Sequence, residues 1–86
     1  DILETFVASL RLDLIISSRF NLSRRVAQEI IKNYEVKVNQ KPIDNPCHQL
    51  KEGDTISVKG YGRMKLLGIG GLSKNNNIYV RLAKLL

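Results

Sequence analysis

The chain has 86 residues, 43% of them hydrophobic, with 14 Lys+Arg against 8 Asp+Glu and a formal net charge of +6. That length holds one domain with a small core and leaves no room for a deep catalytic cleft, while the cationic surplus selects a polyanionic partner, either nucleic acid or an anionic membrane. No apolar run approaches the roughly 20 residues of a membrane span and no signal-peptide pattern opens the chain, so the expectation is a soluble, cytoplasmic protein.

The chain opens at Asp1 rather than methionine, in a segment, Thr5 to Ser9, whose polar-apolar pattern fits a short strand. It is therefore expected to be a piece excised from a longer protein. Leu12, Ile15 and Ile16 lie at helical spacing within Leu10 to Ser18, with Arg11 and Asp13 on other faces, which predicts a first helix. Asn21 marks a polar break, with Arg19 in or beside it, and Ser23 is a good N-cap for a second helix reaching about Asn33. On that helix Val26, Ala27, Ile30, Ile31 and Tyr34 are expected to form one buried stripe, leaving Arg24, Arg25, Gln28 and Lys32 toward water.

The apolar period then changes to two. Val36 and Val38 alternate with Lys37 and Asn39 as in a half-buried strand, so basic groups from helix and strand are expected to converge on one exposed surface, the candidate binding site. Pro42, Asp44, Asn45 and Pro46 predict a loop beyond Lys41, since the prolines deny donors to a central strand. Lys51 to Asp54 reads as a tight turn and Thr55 to Val58 as a strand, interrupted by Gly60-Tyr61-Gly62-Arg63. Met64 to Ile69 and Ile78 to Leu82 are paired as a long-tipped hairpin. This end is basic too, for Lys59, Arg63, Lys65, Lys74, Arg81 and Lys84 all follow the last acid, Asp54.

Several of these elements, in this order, resemble a known family. They are Arg11-Leu12-Asp13 opening the first helix, Ser23-Arg24 opening the second, Ala27 and Ile30-Ile31 within it, Val36-Lys37-Val38-Asn39 as the strand, and Gly53-Asp54 before the next one. Together they resemble the S-four, or αL, RNA-binding domain over Arg11 to about Val58. The continuation from Val58 through Leu67, with a final hairpin and a preceding strand, looks like the C-terminal part of YlmH-like ribosome-associated factors. The resemblance implies an α+β fold, an αL core of two short helices packed on a small, mostly antiparallel sheet, with an added C-terminal hairpin. It implies one RNA-binding domain over residues 1–86, with the core at about 11–58 and the hairpin extension at about 62–84. Two positions depart from the family, which usually carries glycine where this chain has Tyr34 and Gln40. Asn33 or Asn39 in the left-handed conformation would let those turns form.

The candidate RNA-binding residues are Arg11, Ser23, Arg24, Arg25, Gln28, Lys32, Lys37, Asn39, Lys41, Tyr61 and Arg63. Arginine at a helix N-terminus combines a guanidinium fork with nearby unpaired N–H groups, a pairing suited to phosphate, and Arg24 and Arg25 are so placed. Taken alone, an Arg-Arg pair more often only solvates a helix face. The family match and the charges of Lys32, Lys37 and Lys41 favour binding. Ser23 needs only its side-chain oxygen to cap. Asn39 suits a phosphate, sugar or base contact as well as it suits a turn. Arg11 suits the same RNA face, or an ion pair with Asp13 or Glu29, and only the resemblance favours binding. Tyr61 and Arg63 suit stacking on RNA, though a turn with an exposed ring is the commoner use of such a segment.

No catalytic constellation is visible. Cys47 and His48 supply too few ligands for zinc, and no serine elbow or positioned base accompanies them, so neither metal nor cofactor is expected. Glu52 and Asp54 suit turn formation. The expectation is a non-catalytic, monomeric, bacterial-type translation module that binds structured RNA, ribosomal RNA or the ribosome, with no membrane or small-molecule substrate. The alternatives are the targeting domain of an RNA-modifying enzyme, of pseudouridine synthase or aminoacyl-tRNA synthetase type, and a basic protein-interaction domain.

Overall fold

The structure is a computed structural model that describes residues 1–85. Its elements in chain order are β1 (Ile2–Val7), α1 (Leu12–Phe20), α2 (Arg24–Lys32), β2 (Val36–Val38), β3 (Lys41–Pro42), β4 (Thr55–Val58), β5 (Gly62–Leu72) and β6 (Ile78–Leu85). The strands form one sheet in the order β1-β6-β5-β4-β2-β3, and each neighbouring pair is antiparallel. The α+β class and the two-helix core agree with the sequence reading. The C-terminal hairpin sits in the middle of the sheet, because the N-terminal strand closes over β6 with Thr5 opposite Val80.

One face of the sheet is apolar by alternation. Val36 and Val38, Ile56 and Val58, Met64 and Leu66, and Val80 and Leu82 are buried there with Leu12, Ile15 and Ile16 of α1 and Ala27 and Ile31 of α2. Period two on the strands and the i, i+3, i+4 spacing on the helices bring these side chains into one layer. The connection between helices is short because Asn21 ends α1 in the left-handed conformation, at φ 54°, with its N–H donating to the Ser17 carbonyl.

α1 begins without a side-chain cap. Its first N–H groups are instead satisfied by the loop after β3: Leu12 donates to the His48 carbonyl at 2.9 Å and Asp13 to the Pro46 carbonyl at 3.1 Å. The Pro46 to His48 segment is thus the roof of α1, a use of that loop with no local sequence signature.

Several expectations are corrected. α1 continues past Ser18 to Phe20. Asp13, expected on a face other than that of Leu12, Ile15 and Ile16, is fully buried. Val26 and Tyr34 are not part of the buried stripe, being 38% and 67% exposed: α2 buries Ala27 and Ile31, with Ile30 half-buried beside them, and Tyr34 lies past the helix end in the left-handed conformation. Pro42, expected as the start of a loop, instead joins Lys41 in a two-residue edge strand, where Lys41 pairs with Val38 and Pro42 with Lys37. Pro42 is tolerated there because the outer side of an edge needs no donor. Asn39 takes the left-handed conformation, at φ 52°, but Asn33 does not, at φ −87°; Tyr34 and Gln40 adopt it themselves, at φ 61° and 71°. For side chains with a Cβ this costs about 1–2 kcal/mol per residue.

Candidate nucleic-acid interface

The start of α2 is built as expected. The Val26 N–H donates to Ser23 Oγ at 3.1 Å, and the first intrahelical bond runs from the Ala27 N–H to the Ser23 carbonyl at 3.0 Å. The N–H groups of Arg24 and Arg25 precede that bond and point out of the helix end. The first turn of α2 contains no acid. Two guanidinium groups therefore stand at the positive end of the helix dipole, a placement that works against helix stability and favours an external anion.

Asp13 organises this end from below. Arg11 holds it with a fork, Nε to Oδ1 at 3.1 Å and Nη2 to Oδ2 at 2.8 Å, while Gln28 Nε2 donates to Oδ2 at 2.8 Å. Arg24 Nε lies 3.5 Å from the same Oδ2, with its side chain 53% exposed. Burial pushes the Asp13 carboxyl up, but the hydrogen bonds from Gln28 and Arg11 and the Arg11 charge outweigh it and hold the group below its ordinary 3.8. One buried carboxylate thus orients two guanidiniums and still leaves a surplus positive charge at the surface. Arg11 pairs with Asp13 rather than Glu29. Glu29 instead lies 3.4 Å from Arg25, an exposed i, i+4 pair, and Lys32 is exposed one turn on.

The remaining candidates do not join this group. Asn39 is committed to its turn: its Nδ2 donates to Asp54 Oδ1 at 2.9 Å and its Oδ1 accepts the Thr55 N–H at 3.0 Å. Asn39 and Gln40 form the two-residue hairpin turn with both φ positive, so Val38 faces Lys41 and Lys37 faces Pro42 across it. Since facing residues share a side, Lys41 lies on the helix side with buried Val38, and Lys37 lies on the opposite face. The single convergent surface expected from the sequence is therefore two surfaces. The second comprises Lys37, Tyr61 and Arg63, together with Tyr34, Glu35 and Lys59, which line the same cleft. Sequence reasoning passed over Tyr34 as core and did not single out Glu35. The signal available for Tyr34 was its place where glycine is usual.

Tyr61 is anchored from behind. Its ring lies 5.4 Å from that of Phe20 at the end of α1, and the Arg19 guanidinium sits 5.7 Å from the Phe20 ring centre.

Two helices whose joined N-termini carry arginines, leading directly into a strand of a small sheet, define the class. Residues 10–56 match the S4 domain family, and the chain belongs to it. That membership implies RNA binding. Among relatives, the chain is 40% identical over 76 residues to ribosome-associated protein quality control protein P2 of Bacillus subtilis, covering 88% of this chain and 30% of that protein. It is 29% identical over 75 residues to an uncharacterized RNA pseudouridine synthase of Aquifex aeolicus, covering 87% and 28%. A shorter match, 40% over 40 residues, links it to small ribosomal subunit protein uS4 of Fervidobacterium nodosum, covering 46% and 19%. The chain thus spans less than a third of the length of each of these relatives.

Proposed function

We propose that this domain binds ribosomal RNA, without catalysing a reaction, through the surface where α2 begins. Arg24 is the anchor, Arg11 and Arg25 flank it, and Lys32 extends the contact along the helix. The observation that carries this reading is the pair of arginines at the positive end of α2 with no acid in the first turn, of which Arg24 lies over buried Asp13. A helix end so charged is completed by phosphate. A-form RNA hides its base edges in a deep, narrow groove, so a basic helix end reads backbone shape and 2′-hydroxyls before sequence. The similarity to a ribosome-associated protein and to a ribosomal protein favours a ribosomal target in the cytoplasm.

Titration of the domain against a ribosomal RNA fragment over a range of salt tests this. About four contacts at roughly −0.7 to −0.9 each predict a slope near −3 in log K against log salt. A flat salt dependence would contradict it.

The similarity to a pseudouridine synthase supports a second reading, in which the domain delivers a catalytic partner segment to RNA. The full-length protein would then convert uridine in the bound RNA; an intact protein that binds RNA and leaves it unmodified supports the first.

A further inference from the structure

Two turns from different parts of the chain face each other across the sheet end. The α2–β2 turn contributes Tyr34 and Glu35, the β4–β5 turn contributes Lys59 and Tyr61, and the strands between them contribute Lys37 and Arg63. The turns are tied together by the Lys59 N–H, which donates to the Glu35 carbonyl at 2.9 Å. The cleft between them has a volume of about 840 Å³, within the roughly 300–1,000 Å³ usual for small-ligand sites. Its rings are open to solvent, Tyr34 at 67% and Tyr61 at 43%. Tyr34 is held there at φ 61° as the left-handed residue that ends α2, its N–H donating to the Ile31 carbonyl at 3.1 Å and the Glu35 N–H to the Ile30 carbonyl at 3.2 Å, a position usually filled by glycine.

We infer that this cleft takes one unpaired nucleotide of the bound RNA, its base stacked on Tyr34 and Tyr61 and its phosphate held by the cations. The chemistry selects that occupant. Two exposed rings offer π-faces that any base can use, and Lys37 and Lys59, beside the one lining carboxylate among the described residues, Glu35, suit the attached anion. Glu35 accepts N–H groups from the edge of the base and repels phosphate, so it fixes which end of the nucleotide enters. The left-handed backbone at Tyr34 has a use in this account, since it turns the ring away from the core and into the cleft. The inference rests on the RNA-binding reading above, and adds to it a second contact on the face of the sheet that carries Lys37.

The test compares two ribosomal RNA hairpins, one fully paired and one with a single bulged purine, by fluorescence anisotropy at fixed salt. The domain is expected to bind the bulged hairpin about ten-fold more tightly, the scale of one base–aromatic stack. Tyr34→Gly removes the ring and relieves the backbone, so the variant folds at least as well as the parent. It should lose the ten-fold preference while binding the paired hairpin unchanged. Tyr61→Ala should do the same, with its melting temperature recorded because it also loses the Phe20 contact. Equal binding of both hairpins by the parent domain, or a preference kept by Tyr34→Gly, overturns the inference. Failure of Arg24→Ala to weaken the paired hairpin would instead overturn the helix site and leave the preference to be read independently. Binding to neither hairpin overturns both.

Discussion

Gln28 of α2 donates its Nε2 to the Oδ2 of Asp13 on α1 across 2.8 Å, so the helices are joined through a fully buried carboxylate. Arg11 closes the other side of that carboxylate. Removing the acid leaves the part-buried Arg11 guanidinium and Gln28 amide without their shared partner, and breaking such a pair is costly. Asp13→Ala should lose about 3 kcal/mol in urea denaturation, and Gln28→Ala about 1.5 kcal/mol, the range for a hydrogen bond to a charged group. A change in Asp13→Ala below about 0.5 kcal/mol, that of an ordinary surface substitution, would show that the carboxylate does not join the helices.

The same group makes stability depend on acid. The Asp13 carboxyl titrates below 3.8 in the folded protein, so its contribution is fully present above that value and is lost as pH falls through the folded one. Thermal melting of the parent and of Asp13→Asn should therefore differ most near neutrality and converge below about pH 4. A gap that widens in acid would mean that the folded protein prefers Asp13 protonated.

Asn39 and Gln40 both have positive φ in the β2–β3 turn. Asparagine tolerates this conformation better than glutamine, and the favoured pair for such a turn is Asn-Gly. Gln40→Gly should stabilise the domain by about 1 kcal/mol without changing RNA affinity, since the Asn39 bonds to Asp54 and Thr55 are kept. Lower stability would show that the Gln40 side chain has a role beyond the turn.

The parts of this fold legible in the sequence are those set by neighbours along the chain. The Ser23 cap, the alternation of Val36 and Val38, and the hairpin of β5 and β6 each follow from a few adjacent residues. Asp13 was not legible, because its burial depends on Gln28 from fifteen residues away and on the roof made by Pro46 to His48. Val26 and Tyr34 fit a helical stripe, yet Val26 stays on the exposed side of α2, and the helix ends at Lys32 so that the left-handed turn at Tyr34, φ 61°, carries its ring off the helix line. Of the candidate site, the arginines at the start of α2 were visible as a motif. The division into two surfaces was not, since it depends on a two-residue turn that carries Lys41 to the side opposite Lys37.

The central claim is that the start of α2 is a specific phosphate site and not part of a diffuse basic surface. Arg24→Ala and Lys74→Ala remove the same charge, one beside Asp13 and the other at the exposed tip between β5 and β6. Arg11 and Gln28 keep Asp13 partnered in Arg24→Ala, so its stability should fall by no more than about 1 kcal/mol. Arg24→Lys should recover part of the lost binding, because a point charge does not reproduce the fork. The decisive measurement is the affinity of both alanine variants for the same ribosomal RNA fragment at one salt concentration. Arg24→Ala should bind roughly ten- to a hundred-fold more weakly than the parent, the loss of one charge-assisted phosphate contact, with Lys74→Ala nearly unchanged; equal losses in the two variants would contradict the account.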